Sequence, residues 1–394
     1  ARSRLILADD ESDLVYHMVC SRDRGDGEPG PGFSAGDAFW FTTDHANPRS
    51  EEMPSRYEAI FSRTMEFNED CVQHRKQIER EKWSLVGEQP ERYPVAVQQI
   101  DNMFVIADWL AIYFQKRFSR MLRATHILAV LMGLAFIVYS DLLSEAWMIF
   151  VFLGLFGLGI LLFALAQKGA WHRKYLDYRA LAEGMRVQFY WAAAGVKGDE
   201  ATKYTHDNFL QKQDVELGWI RNVMRVAGLS SDVDIDEAPV AVADTVIKDW
   251  IGDDDSGQLG YYQMKAASKQ HLNELTESIG NACLAGGVVV ALVLAFVDAD
   301  MSTTVGSILI VLMGILPLIA AVRDAYAHKK ADKELIKQYR FMHRIFFNAR
   351  RHLDSAGSDK ERLDILRALG EAALDEHAEW ILIHRERPLE IGKL

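Results

Sequence analysis

Three groups of residues in this 394-residue chain have types and spacings that could do chemistry. Gly25-x-Gly27-x-x-Gly30 follows the apolar run Asp13 to Cys20 and formally matches a dinucleotide fingerprint, in which glycines admit a pyrophosphate to a helix N-terminus. Its context fails. Pro29 and Pro31 interrupt the run, no amphipathic helix starts at Gly30, and no second strand brings the acidic residue expected about 20 residues on. A surface loop is the expectation there. Glu371, Asp375, Glu376, His377 and Glu379 offer metal-ligating atoms, but at a spacing ordinary for a solvated helix. The third group is polar residues set in apolar sequence: Asn281, Thr303, Thr304 and Ser307, with Pro317 as a helix-weakening residue. Hydrocarbon rejects such groups, so they turn towards other helices or a water-filled path, and a kink at Pro317 could gate it. The alternative is that Asn and Thr bond neighbouring backbone.

These residues sit in or beside four apolar stretches, at 124–142, 146–166, 279–297 and 303–322. Each approaches the roughly 20 residues a helix needs to cross a bilayer. The expected fold is an all-α membrane protein, its four transmembrane helices forming two tandem hairpins on long cytoplasmic stalk helices. A small partial α/β remnant precedes them, with a strand at Asp13 to Cys20 and a helix at Arg56 to Asn68. Mean hydropathy is near neutral at -0.07, so large polar regions lie outside the lipid. Net charge of -12 argues against a phosphate-backbone partner, and no nucleic acid is expected. Cys20, Cys71 and Cys283 have neither disulfide nor zinc spacing. With no GxSxG, HExxH or P-loop pattern, no enzyme activity, catalytic residue, metal or cofactor is expected. The chain opens in polar sequence without Met or a signal peptide, as the remainder of a longer protein would.

Charge sets the expected orientation. Lys116, Arg117, Arg120 and Arg123 precede the first pair of stretches and Lys168, Arg173, Lys174 and Arg179 follow it, while only Asp141 and Glu145 lie in its turn. The second pair repeats this, with Lys265 and Lys269 before it, Arg323, Lys329 and Lys330 after it, and Asp298 and Asp300 in the turn. Positive residues mark the cytoplasmic side, so both turns and their four acids face outward, where an oligomer would form acidic rings that concentrate cations. The expected site is the cytoplasmic membrane, multi-pass, with both termini inside. Tyr139 and Trp147 outside, and Trp171 and Tyr175 inside, fit interfacial aromatic belts. His172 and His328 stand where the hairpins leave the lipid, as anchors or as groups titrating near neutrality.

The chain reads as a duplication, with His172-Arg173-Lys174 recurring as His328-Lys329-Lys330. Trp171, Tyr175, Tyr178, Ala182, Met185 and Phe189, and later Leu335, Tyr339, Met342, Phe346, Ala349 and Leu353, recur at alternating spacings of four and three. That is a packing seam, within one protomer or between protomers. Phe104, Ala107, Ala111, Phe114 and Phe118 make a third stripe, Thr205 to Val226 another helix, and Asp359 to Arg385 an amphipathic helix ended by Pro388. The acidic runs Ser230 to Glu237 and Asp253 to Gly257 read as loops. Gly154, Gly157 and Gly159 would permit close helix approach. The units are then 1–95, 96–195, 196–257, 258–355 and 356–394.

Ala107-Asp-Trp-Leu-Ala111 with Tyr113 to Arg117, Tyr175-Leu-Asp-Tyr-Arg-Ala-Leu-Ala-Glu183 with Arg186 to Trp191, and Glu379 to Glu390 resemble the membrane portion of prokaryotic proteins carrying a TRPM-like SLOG domain. The two-helix modules resemble SLATT effector modules, and the resemblance spans roughly 95–394. It implies a SLOG tail around Tyr16 to Cys20 and a nucleotide-sensing part outside this chain. It further implies a homo-oligomeric effector that perforates or depolarises the bacterial inner membrane on a nucleotide signal, often in antiphage defence. A ligand-gated pore is the expected function; a non-conducting scaffold for a cytoplasmic sensor or partner is the alternative.

Overall fold

The computed structural model describes residues 55–87, 90–142, 145–196, 217–229, 241–297 and 303–385, and before them only the backbone of four short segments. Those segments, Leu5–Ala8, Tyr16–Cys20, Ala38–Phe41 and Arg49–Ser50, are extended and pair antiparallel in chain order. From residue 55 the described chain is all-helical: α1 (Ser55–Glu81), α2 (Val95–Asp141), α3 (Trp147–Lys168), α4 (Trp171–Ala194), α5 (Gly218–Leu229) and α6 (Ala241–Val246). A π-turn at Ile247–Ile251 extends α6, and α7 (Gly257–Val297), α8 (Thr303–Lys330), α9 (Asp332–Ser355) and α10 (Asp359–Arg385) complete it. The Gly25 to Gly30 motif, Phe209, Val215, the Ser230 to Glu237 run and Pro388 lie outside the described residues.

Two long helices change character along their length. In α2 the first half buries Ile100, Phe104, Ala107, Ala111 and Phe114 on one stripe, while the second half exposes Ile127, Leu131 and Phe136. The stripe at 3.6-residue period seals against protein, and the all-round apolar half needs an apolar solvent. Helix α7 repeats the change, from Leu259 buried at its start to Val288, Val289, Leu292 and Phe296 exposed near its end. Helix α3 shows Phe150, Leu153, Phe156, Leu161 and Leu165 on its surface. Water would not tolerate so much contiguous apolar surface on an isolated chain. Four helices are long and apolar enough to cross a membrane, which supports a multi-pass membrane protein.

At membrane level α3 packs along α2, and α8 packs along both α7 and α2. A Cβ on Gly287 would stand 2.8 Å from Pro317 Cγ, so the missing side chain lets the proline ring of α8 seat against α7. Helix α8 continues through Pro317. Gly314 meets Ile137 of α2 in the same way, with a Cβ placed 2.9 Å from its Cδ1. Gly154, Gly157 and Gly159 instead face open space, so within one protomer they mediate no close approach. Gly287→Leu should therefore overpack the α7–α8 contact and lower stability by ~1–3 kcal/mol in a detergent melt. Gly157→Leu should leave the melt unchanged; equal effects at both positions would refute this packing.

Below the apolar level, α1, α2, α4, α5, α9 and α10 share one hydrophobic core with the π-turn and the start of α7. Its largest fully buried side chains include Trp219, Trp250, Tyr178, Phe104, Phe189 and Phe346. Tyr178, Met185, Phe189, Met342 and Phe346 are all buried here, with Tyr339 half-buried against them. Both seams thus meet inside one protomer. The third stripe, on α2, lies against α4, the most extensive helix contact in the fold. The C-terminal helix has the bounds its pattern predicts, Asp359–Arg385. The expected first helix is longer than its pattern, and α6 with its π-turn lies between the two acidic runs, in a stretch for which the sequence predicts no element, with Val246, Ile247, Trp250 and Ile251 buried there.

Candidate functional site: a cavity at a helix bend and a buried ionic helix

Both second membrane helices end on an alanine in the left-handed region. Ala170 (φ 46°) separates α3 from α4, and Ala331 (φ 51°) separates α8 from α9. A left-handed L-residue costs roughly 1–2 kcal/mol, so each break is held by its surroundings. The stalks continue the membrane helices only across these bends, of two residues (169–170) in the first and one (Ala331) in the second. Because His172 follows its bend and His328 precedes its own, the His-Arg-Lys and His-Lys-Lys triplets are not structural equivalents. Ala170→Gly should remove the strain and raise stability by ~0.5–1 kcal/mol, read as a higher melting temperature. An unchanged or lower melt would show that the bend carries no strain.

A cavity of about 350 Å³ opens beside the second bend, between α7, the end of α8 and the start of α9. Asn281 lines it, with Glu277, Asp324, Asp332 and Glu334 supplying carboxylates, Arg323 and Lys333 the positive groups and His328 an imidazole. Arg323 donates to the Asn273 carbonyl at 3.3 Å and the Thr276 hydroxyl at 3.0 Å, and pairs with Asp324 at 2.6 Å. Lys269 reaches Asp332 at 3.3 Å and Lys333 reaches Glu277 at 3.3 Å, so charge pairs tie α7 to the start of α9.

Of the polar residues singled out in the apolar stretches, only Asn281 lies in this cavity. Thr304 and Ser307 stand at the other end of α8, about 30 Å from Arg323 by helix rise. Thr304 is exposed, Ser307 is half-buried, and the side chain of Thr303 is outside the described residues. Pro317 lies between the two ends, against Gly287. Asp141 and Glu145 are exposed at the turn after α2, whereas Asp298 and Asp300 are not described. The carboxylates around Asn281 escaped sequence reading because they fall just outside the apolar stretches. Their spacing to Asn281, four residues for Glu277, was the available signal.

Helix α4 is the second chemical centre. Asp177, 1% exposed, accepts from Arg173 at 3.2 Å and from Arg385 of α10 at 3.1 Å. Asp70 of α1 accepts from Lys174 at 2.7 Å and from the Tyr178 hydroxyl at 2.5 Å. Glu66 binds Arg173, and Arg179 reaches Asp108 of α2 at 3.2 Å while also pairing with Glu183. Arg186 completes the row on Glu183 at 2.7 Å and lies over the Phe104 ring. Burial alone would raise the Glu183 carboxyl, but Arg179 and Arg186 outweigh it and hold the group at about 2. Asp177, Tyr178, Arg179, Glu183 and Arg186 fall in the quoted segments Tyr175 to Glu183 and Arg186 to Trp191, and the network shows what they do in this fold. They clamp α1, α2 and α10 onto α4.

Several residues expected at the membrane surface lie inside this bundle instead. His172 stacks on Phe118 with ring centres 4.4 Å apart, and burial lowers it to about 4. It is therefore neutral and packed, neither titrating near pH 7 nor anchoring in headgroups. Tyr175 packs edge-on to Trp380 at 5.9 Å and Trp171 lies under Arg117, so the inner aromatic pair is core rather than belt. The outer pair fits better, with Trp147 55% exposed. The acidic group on α10 divides by face. Glu376 is pushed up to about 8 by burial, reinforced by Glu183 and Glu379, while burial takes His377 down to about 3. Asp375 and Glu379 are exposed. A metal site needs these atoms to converge, and no such group exists among the described residues.

Because the folded Glu376 value lies above its ordinary 4.5, its contribution is full below about pH 4.5 and is lost as pH rises to about 8. Glu376→Gln should match wild type at pH 5 and exceed it at pH 8.5 by roughly 2–4 kcal/mol. Identical pH profiles for the two proteins would contradict this burial.

No protein-family description, curated protein or solved structure matches this chain. The likeness to SLOG-linked SLATT proteins rests on the quoted segments alone.

Proposed function

We propose that the chain is an oligomeric bacterial inner-membrane effector, a pore or channel whose opening is controlled by a cytoplasmic nucleotide-sensing domain, of the kind SLOG-linked SLATT proteins use in antiphage defence. In this reading the two tandem hairpins turn outward at Asp141 to Glu145 and at Asp298 to Asp300, both termini are cytoplasmic, and the segments before α1 are the tail of the sensor. The single observation that carries it is the cavity at Asn281, where a polar lining of ion-paired residues stands at one end of an apolar helix pair. Polar and charged groups gathered at the end of apolar helices are what the mouth of a water-filled path requires. Helix α9 starts from the strained bend at Ala331 beside that cavity, so a force on the ionic bundle is delivered to α8 there. Helices α2, α7 and α8 pack through apolar side chains and glycines, so a conducting path requires a symmetric assembly whose axis lies outside one protomer.

The test is ion flux from proteoliposomes carrying the purified chain with its sensor domain and nucleotide supplied. Release that falls at least several-fold in Asn281→Leu is expected. No release under any condition, from protein that assembles normally, would overturn the pore. The same apolar packing favours the second reading, a non-conducting scaffold, in which Asn281→Leu and Asp324→Asn leave every activity of the assembly intact.

A further inference from the structure

Helix α9 carries a basic and aromatic face that no other described residue covers. Lys337, Arg340, Phe341, Arg344, Phe347 and Arg351 fall within about a third of the helix circumference, and all six are exposed. Phe341 is 52% and Phe347 43% accessible, unusual values for phenylalanines in a charged stalk. Arg344, Lys337 and Arg351 form no ion pair among the described residues. Beside them a groove of about 510 Å³ runs between α7 and α9, floored by Ala266 and Ala267 and rimmed by Arg340, Arg344 and Phe347.

Helix α10 shows the opposite chemistry. Asp364, Asp375, Glu379 and Leu382 are exposed on one arc, with Glu371 half-buried at its edge. None of these acids makes an ion pair among the described residues, and Leu382 is 42% accessible. Arg340 is held by Gln270 of α7, and Arg344, one turn further on, has no such bond among the described residues and can meet Asp375 or Glu379, themselves four residues apart, at one crossing. Leu382 lies three residues beyond Glu379, within reach of an apolar groove when those pairs are made.

We infer that the basic-aromatic face of α9 docks on the acidic face of α10 in a second copy of this chain, with Leu382 of that copy entering the α7–α9 groove. The argument is charge complementarity between two uncovered faces on one molecule, with an apolar groove on one face and an apolar side chain on the other. A nucleic-acid or anionic ligand fits the basic face alone and leaves the acidic one unexplained. A contact between two different patches is heterologous, and such contacts close into rings when the rotation allows. The inference rests on the oligomeric reading above and names the contact that would build it.

The test uses full-length chains carrying two different tags, co-expressed, extracted in mild detergent and captured through one tag. Arg344→Glu with Arg351→Glu in both copies should cut capture of the second tag at least tenfold, and so should Asp375→Lys with Glu379→Lys. Pairing the basic-reversed chain with the acid-reversed chain should restore capture, because each face again meets its opposite. Restoration also shows that the variants fold. Wild-type capture by either reversed chain, or failure of the mixed pair while each chain keeps a wild-type helical melt, would overturn the inference. Loss of co-purified anionic lipid from the α9 variant, with self-association unchanged, would overturn it in favour of a lipid contact. Flux is measured separately: association without conduction refutes the pore and leaves this contact standing.

Discussion

Glu183→Ala is expected to lower the stability of the ionic helix bundle by ~3–5 kcal/mol, among the largest effects available to a single residue in this protein. Its carboxylate is shared by Arg179 and Arg186, with Arg179 also held by Asp108 on α2. Removing it leaves Arg186 without its counter-ion and Arg179 with Asp108 alone, and a buried charge without its counter-ion is far costlier than the pair was favourable. The measurement is a denaturant or thermal melt in detergent, followed by tryptophan fluorescence, because Trp219 and Trp250 sit in the same core. Glu183→Gln, which keeps the shape and loses the charge, should fall between alanine and wild type. A loss below about 1 kcal/mol for alanine would mean the row is solvated, as surface pairs are. The held-down carboxyl also fixes a pH limit: its contribution is complete above about pH 4.5 and fades as pH falls towards 2.

Phe156→Arg separates lipid from water as the solvent of α3. Phe156 is 50% exposed near the middle of that helix. On a water-facing surface the change would be neutral or would improve solubility. In the centre of a bilayer an arginine costs ~2.5–3.5 kcal/mol on insertion scales, so membrane-integrated protein should fall steeply, while Phe156→Leu should be tolerated. The assay is the fraction of protein recovered in alkaline-washed membranes. Equal recovery for the two variants would remove the membrane reading, and with it the proposed pore.

The structure also explains why parts of the candidate site were readable in advance and others were not. Asn281 announced itself as a polar group within an apolar stretch, and it lines the cavity. Glu277, Asp324 and Asp332 were hidden among the ordinary charges of the helix ends, and only the bend at Ala331 brings α9 back against α7 to gather them. Nothing in an alanine's local sequence signals a left-handed conformation, since it is imposed by the helices on either side. His172 shows the converse error. Its place beside a membrane helix suggested an interface, but α2 supplies Phe118 to cover it, and burial decides its charge.

What the sequence by itself determined was the apolar or amphipathic character of the long helices: the apolar stretches, the four-three seams and the span of α10 follow from side-chain periodicity, which is a local property. What only the tertiary structure decided was partnership. Whether Met185 and Phe346 faced their own chain or another, which carboxylate Arg179 would meet, and which histidine would be sealed from water depended on contacts between residues tens to hundreds of positions apart. Those contacts are chosen by packing and by the penalty for leaving a charge unpaired in a low-dielectric interior, terms that exist only once distant helices have met.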